Sequence, residues 1–256
     1  MLINKDMNKR NSLSSVPLID GNCGRKYDFP YKPKPPLPEH GTMLLVGSPA
    51  SGKTTLLTSM LLSHKTKKTP NNPKYYYKYF DDVYIVSGSL ATLPIKEFAL
   101  KEEHVFDHYD EDVMSTILDK AREDDNGNTL IVIDDCVDSL KKSAALTASI
   151  FNRRHVTQND NDMTRAGLSI WITSQKMNMV ALRYRANISH FIIFPTTHRA
   201  ELKTIKDELM GDLTADQQDR ALAEAWGEPY SFLFVDAFAP KGKRLYSRFD
   251  LMKFDD

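Results

Sequence analysis

The sequence predicts an α/β fold with a mainly parallel central sheet flanked by helices, and three observations carry that expectation. Short apolar runs recur at residues 43–46, 82–87, 129–133, 168–173 and 190–194, each of strand length and most of them rich in β-branched residues. Segments of helical periodicity stand between them, and alternation of strand and helix is the pattern of a sheet built from crossover units. The run Thr129-Leu130-Ile131-Val132-Ile133 is continuously apolar rather than alternating, as in a strand covered on both faces.

The chain has 256 residues, 41% of them hydrophobic, which is enough to bury a sizeable core. Lys+Arg and Asp+Glu stand at 34 each, so the formal net charge is zero and any contact with nucleic acid must come from local patches. Cys23 and Cys136 are far apart and have no metal-ligand spacing, which suits a reducing compartment. The longest apolar runs are strand-sized and no N-terminal signal pattern is present, so neither a membrane span nor secretion is expected.

Taken in order, residues 1–38 read as an arm and residues 39–256 as the folded domain. The first ten residues are polar and basic, and Pro30-Tyr31-Lys32-Pro33-Lys34-Pro35-Pro36-Leu37-Pro38 cannot form helix or central strand. Such an arm is an extended strap or linker, or a basic arm that touches a neighbouring subunit or DNA. The strand Met43-Leu44-Leu45-Val46 then delivers Gly47-Ser48-Pro49-Ala50-Ser51-Gly52-Lys53-Thr54, followed by Thr55 and an apolar-periodic helix to Leu62. Glycine, four residues, then Gly-Lys-Ser/Thr is the pattern of a phosphate-binding loop. Gly47 and Gly52 let the backbone turn so that successive N–H groups point at phosphate oxygens. Lys53 places an ammonium against the β- and γ-phosphates, Thr54 offers a hydroxyl to Mg²⁺, and the helix aims its positive end at the same anion. The expected ligands are ATP and Mg²⁺.

A basic, proline-broken stretch over 64–73 leads to Lys74-Tyr75-Tyr76-Tyr77-Lys78-Tyr79-Phe80, whose aromatics either stack on bases or form a solvent-facing helix end and a half-buried entry to the next strand. Strand 82–87 follows, then a short helix or loop at 93–100, a short strand at 103–107, a helix at 112–124 and a turn at 125–128. Beyond strand 129–133 the pattern is helix 144–151, polar loop 157–165, strand 168–173, helix 179–185 and strand 190–194. Helices at 200–210 and 215–226 and a strand at 230–235 complete it.

The second element of the phosphate site is Leu130-Ile131-Val132-Ile133-Asp134-Asp135. An apolar strand that delivers an acid beside a phosphate loop is what Mg²⁺ positioning needs, because hard cations take oxygen ligands. Asp134 is assigned to the metal shell through water, and Asp135 to polarising the attacking water. Gln175 ends the next buried strand, on the same sheet edge, where its amide would sense the γ-phosphate or hold the water. Arg153, Arg154, Arg183 and Arg185 lie just beyond predicted elements, and at least one of them is expected to reach the phosphates of a neighbouring subunit.

These residues, with Asp82-Val83-Tyr84-Ile85-Val86-Ser87, Arg153-Arg154-His155, Ile172-Thr173-Ser174-Gln175 and Arg185-Ala186-Asn187-Ile188-Ser189-His190, occur in an order that resembles the poxvirus-type genome-packaging ATPases of the FtsK–HerA superfamily. The likeness spans residues 40–210. It implies a RecA/FtsK–HerA-like P-loop NTPase fold and a pentameric or hexameric ring that hydrolyses ATP while driving double-stranded DNA into a capsid. It also implies capsid or portal-vertex partners, and residence in the host cytoplasm or viral factory, or on the virion. By the same resemblance Lys53 and Thr54 serve nucleotide and metal, Asp134 and Asp135 form the acidic pair, and Gln175 is the polar sensor. Arg154 is the best match for the trans-acting arginine, with Arg153 beside it and Arg185 second. The superfamily more often has Asp-Glu where this chain has Asp134-Asp135, which leaves the catalytic base open. The rival readings are a P-loop nucleotide kinase, a recombination or transposition ATPase that packages nothing, and an assembly factor that binds ATP but hydrolyses it poorly.

Overall fold

The computed structural model describes residues 33–93, 95, 97–98, 100–123, 128–141, 143–153 and 168–254. Most of the N-terminal arm therefore lies outside the described residues, although Leu37 is buried and Tyr76 Oη donates to the Pro38 carbonyl at 2.8 Å. The expected strands form: β1 (Thr42–Val46), β2 (Asp82–Ser87), β3 (Val105–Phe106), β4 (Thr129–Asp134), β5 (Ser169–Ser174), β6 (His190–Ile193) and β7 (Leu233–Asp236). Two further strands, β8 (Leu245–Ser247) and β9 (Asp250–Leu251), are too short to carry a periodic signal. Among the described residues the nine strands make one sheet in the order β3-β2-β4-β5-β1-β6-β7-β8-β9. Pairing is parallel from β3 through β6 and antiparallel from β6 through β9.

Helices cover both faces: α1 (Lys53–Leu62), α2 (Glu111–Glu123), α3 (Val137–Leu140), α4 (Ala144–Asn152), α5 (Leu182–Arg185), α6 (Arg199–Leu209) and α7 (Ala215–Ala225). Strand alternation sorts the core into two layers. Met43 and Leu45 of β1 face Leu57, Met60 and Leu61 of α1, whereas Leu44 and Val46 face the layer that holds Ile117 of α2, Leu146 of α4 and Ile205 of α6. The helix starts are chemically closed. Asp110 accepts from Val113 N at 2.7 Å, and Ser143 caps α4 while both Glu111 oxygens take Ala144 N and Ala145 N at 2.9 Å. Thr214 and Gln217 form a capping box on α7.

Two expectations are corrected and one open alternative is decided. The helix over 179–185 is instead a 3₁₀ turn at Met177–Met179 and a single α-turn, α5, because Val180 and Ala181 are extended. Side chains take the backbone groups there: Met177 N donates to Glu201 of α6, and the Val180 carbonyl accepts from Arg185 five residues on. The strand over 230–235 begins only at Leu233, since Tyr230 has φ 58° and Ser231 N turns back to the Glu228 carbonyl. The aromatic segment is core rather than a stacking platform at Tyr76 and Tyr79, which are 2% and 3% exposed; Tyr76 meets Trp171 edge-on at 5.0 Å. Among the described residues no helix is long and apolar enough to cross a membrane.

The topology decides where a site can form. β5 lies between β1 and β4, so the C-terminal ends of β1, β5, β4 and β2 stand in a row on one sheet edge.

Candidate phosphate and hydrolysis site

The loop after β1 is tied to the row of strand ends, because Gly47 N donates to the Ser174 carbonyl at 3.1 Å. It turns through two left-handed residues, Ala50 at φ 62° and Gly52 at φ 104°, before Lys53 opens α1. Lys53 Nζ donates to the Gly47 and Ser48 carbonyls at 2.6 and 3.0 Å, so the ammonium lies inside the curve of the loop. Burial holds that ammonium below its ordinary pKa, and Asp135 and Asp134 oppose the shift. The loop lysine and the acidic pair, distant in sequence, thus share one electrostatic environment.

Gly47 is required by space. A Cβ there would lie 2.4 Å from Ser51 Oγ and 2.8 Å from Phe194 Cβ. Ser51 can rotate, but the Phe194 Cβ is fixed to the end of β6, so the loop itself must move. We expect Gly47→Ala to weaken MgATP binding by about tenfold or more, equivalent to roughly 1.4 kcal/mol. Titration with a fluorescent ATP analogue checks this, and wild-type affinity would mean that the loop does not cradle phosphate as drawn.

Asp134 ends β4 with its side chain almost fully buried. Ser87 Oγ, opposite it on β2, donates to Oδ2 at 3.0 Å, and Thr173 Oγ1 of β5 donates to Oδ1 at 2.6 Å. Two donors fix the carboxylate plane, and each oxygen keeps a lone pair for a metal-bound water. The same Thr173 hydroxyl accepts from Asp135 N at 3.2 Å. Asp135 is exposed and left-handed at φ 55°, a conformation that Asp tolerates better than most residues, and its side chain projects beyond the strand end. Among the described residues no three His, Cys, Asp or Glu side chains gather as a metal cluster. The donor set fits Mg²⁺ of the kind that takes one carboxylate and one hydroxyl, Asp134 and Thr54, with phosphates and water for the rest.

Gln175 follows β5 directly and is exposed, between the phosphate loop and the acidic pair. Its loop is braced from below. Ser174 Oγ donates to the Lys176 carbonyl at 2.7 Å, and the buried Glu201 of α6 accepts from Met177 N. Ser87, Thr173 and Glu201 were not singled out by sequence reasoning. The first two had a readable signal, a hydroxyl at the end of an apolar strand; the third had none.

The arginines separate. Arg185 is held within the chain: its Nε and Nη2 donate to Glu208 of α6 at 2.9 and 2.5 Å, its Nη1 donates to the Val180 carbonyl at 2.5 Å, and the side chain is 9% exposed. Three of its nitrogens are thus engaged inside its own subunit, where the guanidinium acts as a buckle. Arg183 is also held, by the Lys141 carbonyl at 2.6 Å and Tyr184 Oη at 2.9 Å. Arg153 caps α4 near His190, the first residue of β6, on the sheet edge opposite the phosphate loop. Burial pushes the His190 imidazole down to about 4, Asp236 opposes that, and Arg153 adds to it. Arg154, His155 and the loop 157–165 lie outside the described residues.

No family model and no curated protein sequence matches the chain. Solved structures do. The genome packaging NTPase B204 from Sulfolobus turreted icosahedral virus 2, in complex with ATP-γS, is 15% identical, with 84% of this chain and 100% of that chain covered at a TM-score of 0.54. The same protein with AMPPCP is 16% identical, covering 78% and 94% at 0.53. B204 of Sulfolobus turreted icosahedral virus, described as a DNA-packaging ATPase, is 14% identical, covering 78% and 93% at 0.52. At these identities the likeness is one of fold: the chain has a P-loop NTPase fold.

Proposed function

We propose that this chain is an ATP-hydrolysing double-stranded DNA translocase that packages a viral genome, of the poxvirus-type group within the FtsK–HerA superfamily, working as a pentameric or hexameric ring. One observation carries the reading: Lys53, Gln175 and the Asp134-Asp135 pair stand at three neighbouring strand ends, with the Thr173 hydroxyl donating to the Asp134 carboxylate and accepting from the Asp135 backbone N–H. That is a constellation for positioning a water against a terminal phosphate, rather than for binding nucleotide alone. The packaging NTPases of the same fold supply the biological direction of the proposal.

In this reading residues 47–55 bind the phosphates, with the loop N–H groups and Lys53 countering charge on the β- and γ-oxygens. Thr54 and Asp134 hold Mg²⁺, which supplies Lewis-acid stabilisation of the phosphates. Asp135 takes the proton of the attacking water while Gln175 orients it. Arg154 of a neighbouring subunit completes the charge stabilisation. DNA is met by local basic patches, with candidates in the lysine-rich stretch 65–78 and the loop 157–165, and the ring docks on a capsid or portal vertex. The place of action is the host cytoplasm or viral factory, or the virion.

The test is phosphate release from MgATP with and without duplex DNA, together with the oligomeric state in a non-hydrolysable analogue. Expected results are steady hydrolysis without a small acceptor, stimulation by duplex DNA, and stimulation that falls steeply between about 50 and 200 mM salt as released counterions compete. Phosphoryl transfer to a nucleoside or nucleotide would replace the motor with a kinase. A monomer under every condition would remove the ring.

A further inference from the structure

A cavity begins at the phosphate loop and extends on the side away from the acidic pair. It measures about 520 Å³ and is lined by Gly52, Thr55, Ser59, Phe194, Tyr230 and Phe232, among others. Phe194 follows β6, and Tyr230 and Phe232 precede β7, so the antiparallel partner of β6, reached through α6 and α7, brings the aromatics back to the strand end beside the loop. A Cβ on Gly52 would lie 3.5 Å from both Phe194 Cε1 and Tyr230 Cδ1; both rings thus stand against the loop backbone. Phe194 and Phe232 are buried and pack at 5.7 Å between centroids, whereas Tyr230 is 74% exposed. Tyr230 is also held left-handed at φ 58°, an outlier conformation for a bulky side chain. An exposed aromatic on a strained backbone, over a cavity that begins at the phosphate loop, is costly for a fold that does not use it.

We infer that this cavity is the nucleobase subsite, with Tyr230 stacking on the face of the base and Phe194 and Phe232 forming its apolar floor. The inference rests on the nucleotide reading above and extends it to base recognition. The lining contains no Asn, Gln, Asp, Glu or Arg that would read a base edge by paired hydrogen bonds. Ser51, Lys53 and Thr54 of the lining belong to the phosphate loop, and beyond it the hydroxyls of Thr55, Ser59 and Tyr230 offer only adaptable contacts. A site that holds a planar heterocycle by its face accepts every base with a π-surface and favours purines for their area. A site built to hydrogen-bond one base would reject the others by orders of magnitude. The chain should therefore use ATP and GTP with similar affinity and CTP less well.

The test is equilibrium binding of MgATP, MgGTP and MgCTP to the full chain, with inorganic tripolyphosphate as the ligand that lacks a base. Expected are ATP and GTP within about fivefold of each other, and a loss of about tenfold for ATP in Tyr230→Ala with tripolyphosphate unchanged, as for other base–aromatic stacks. Tyr230→Phe should keep wild-type affinity, and Tyr230→Trp should keep it and report binding by quenching. Wild-type ATP affinity in Tyr230→Ala, or ATP preferred over GTP by a hundredfold, overturns the subsite. A change in oligomeric state with unchanged affinity also overturns it and makes Tyr230 an interface anchor. Failure of the wild-type chain to bind either ATP or tripolyphosphate would instead defeat the nucleotide reading itself.

Discussion

Asp135→Asn is expected to lower ATP turnover by about 10²- to 10⁴-fold, the range for removing a positioned general base, with nucleotide affinity held within about threefold. The substitution is unusually clean here. Asp135 sits at φ 55°, and Asn is among the few residues that tolerate that region, so the backbone turn survives. The side chain is exposed and keeps its shape, and its N–H bond to Thr173 Oγ1 does not depend on the carboxylate. Removing the charge takes one opposing influence away from the Lys53 ammonium, while Asp134 remains. Binding and chemistry are therefore separable, and parallel nucleotide titration and phosphate-release assays on one preparation check both. If Asp135→Asn hydrolyses ATP normally, the water is activated elsewhere and Gln175 becomes the residue to test.

What was legible in the sequence was whatever lies close together along the chain. Residues 43–54 announce a strand, a turn and a phosphate loop because the geometry is local: two glycines, a lysine and a helix start within a dozen residues. Asp134 was legible for the same reason, as an acid that ends a continuous apolar strand. The partners that make the site work were not. Ser87 and Thr173 meet Asp134 only because β4 lies between β2 and β5, a fact of strand order that no local pattern encodes. Glu201 reaches Met177 and Glu208 reaches Arg185 from a helix that lies across two loops, so the pairing overrides the helical periodicity of 179–185. Tyr230 read as the start of a strand, since a tyrosine before Ser231-Phe232-Leu233 fits alternation; its positive φ is a property of the folded turn. β8 and β9 are three and two residues long, below any period.

Arg185→Ala should act on stability first, and this separates it from the neighbouring arginines. The guanidinium clips the loop after β5 to α6 through Glu208 and the Val180 carbonyl. Breaking a buried ion pair by removing one partner costs about 3–5 kcal/mol, because the other charge is left without compensation. Glu208 is 29% exposed, so water recovers part of that, and about 2–3 kcal/mol is the expected loss. For a domain of this size that lowers Tm by roughly 5–10 °C. Arg185→Lys keeps the charge but not the fork, and should fall between wild type and Arg185→Ala. Hydrolysis should fall as well, since the same loop carries Gln175, yet the defect belongs to the subunit that bears the change. Mixing Arg185→Ala with Asp135→Asn subunits should consequently restore nothing beyond dilution. Arg154→Ala mixed with Asp135→Asn should recover partial activity at interfaces where an intact site meets an intact finger. Wild-type melting of Arg185→Ala, joined to a turnover defect that mixing rescues, would return Arg185 to the trans role and leave the Glu208 pair as an incidental contact.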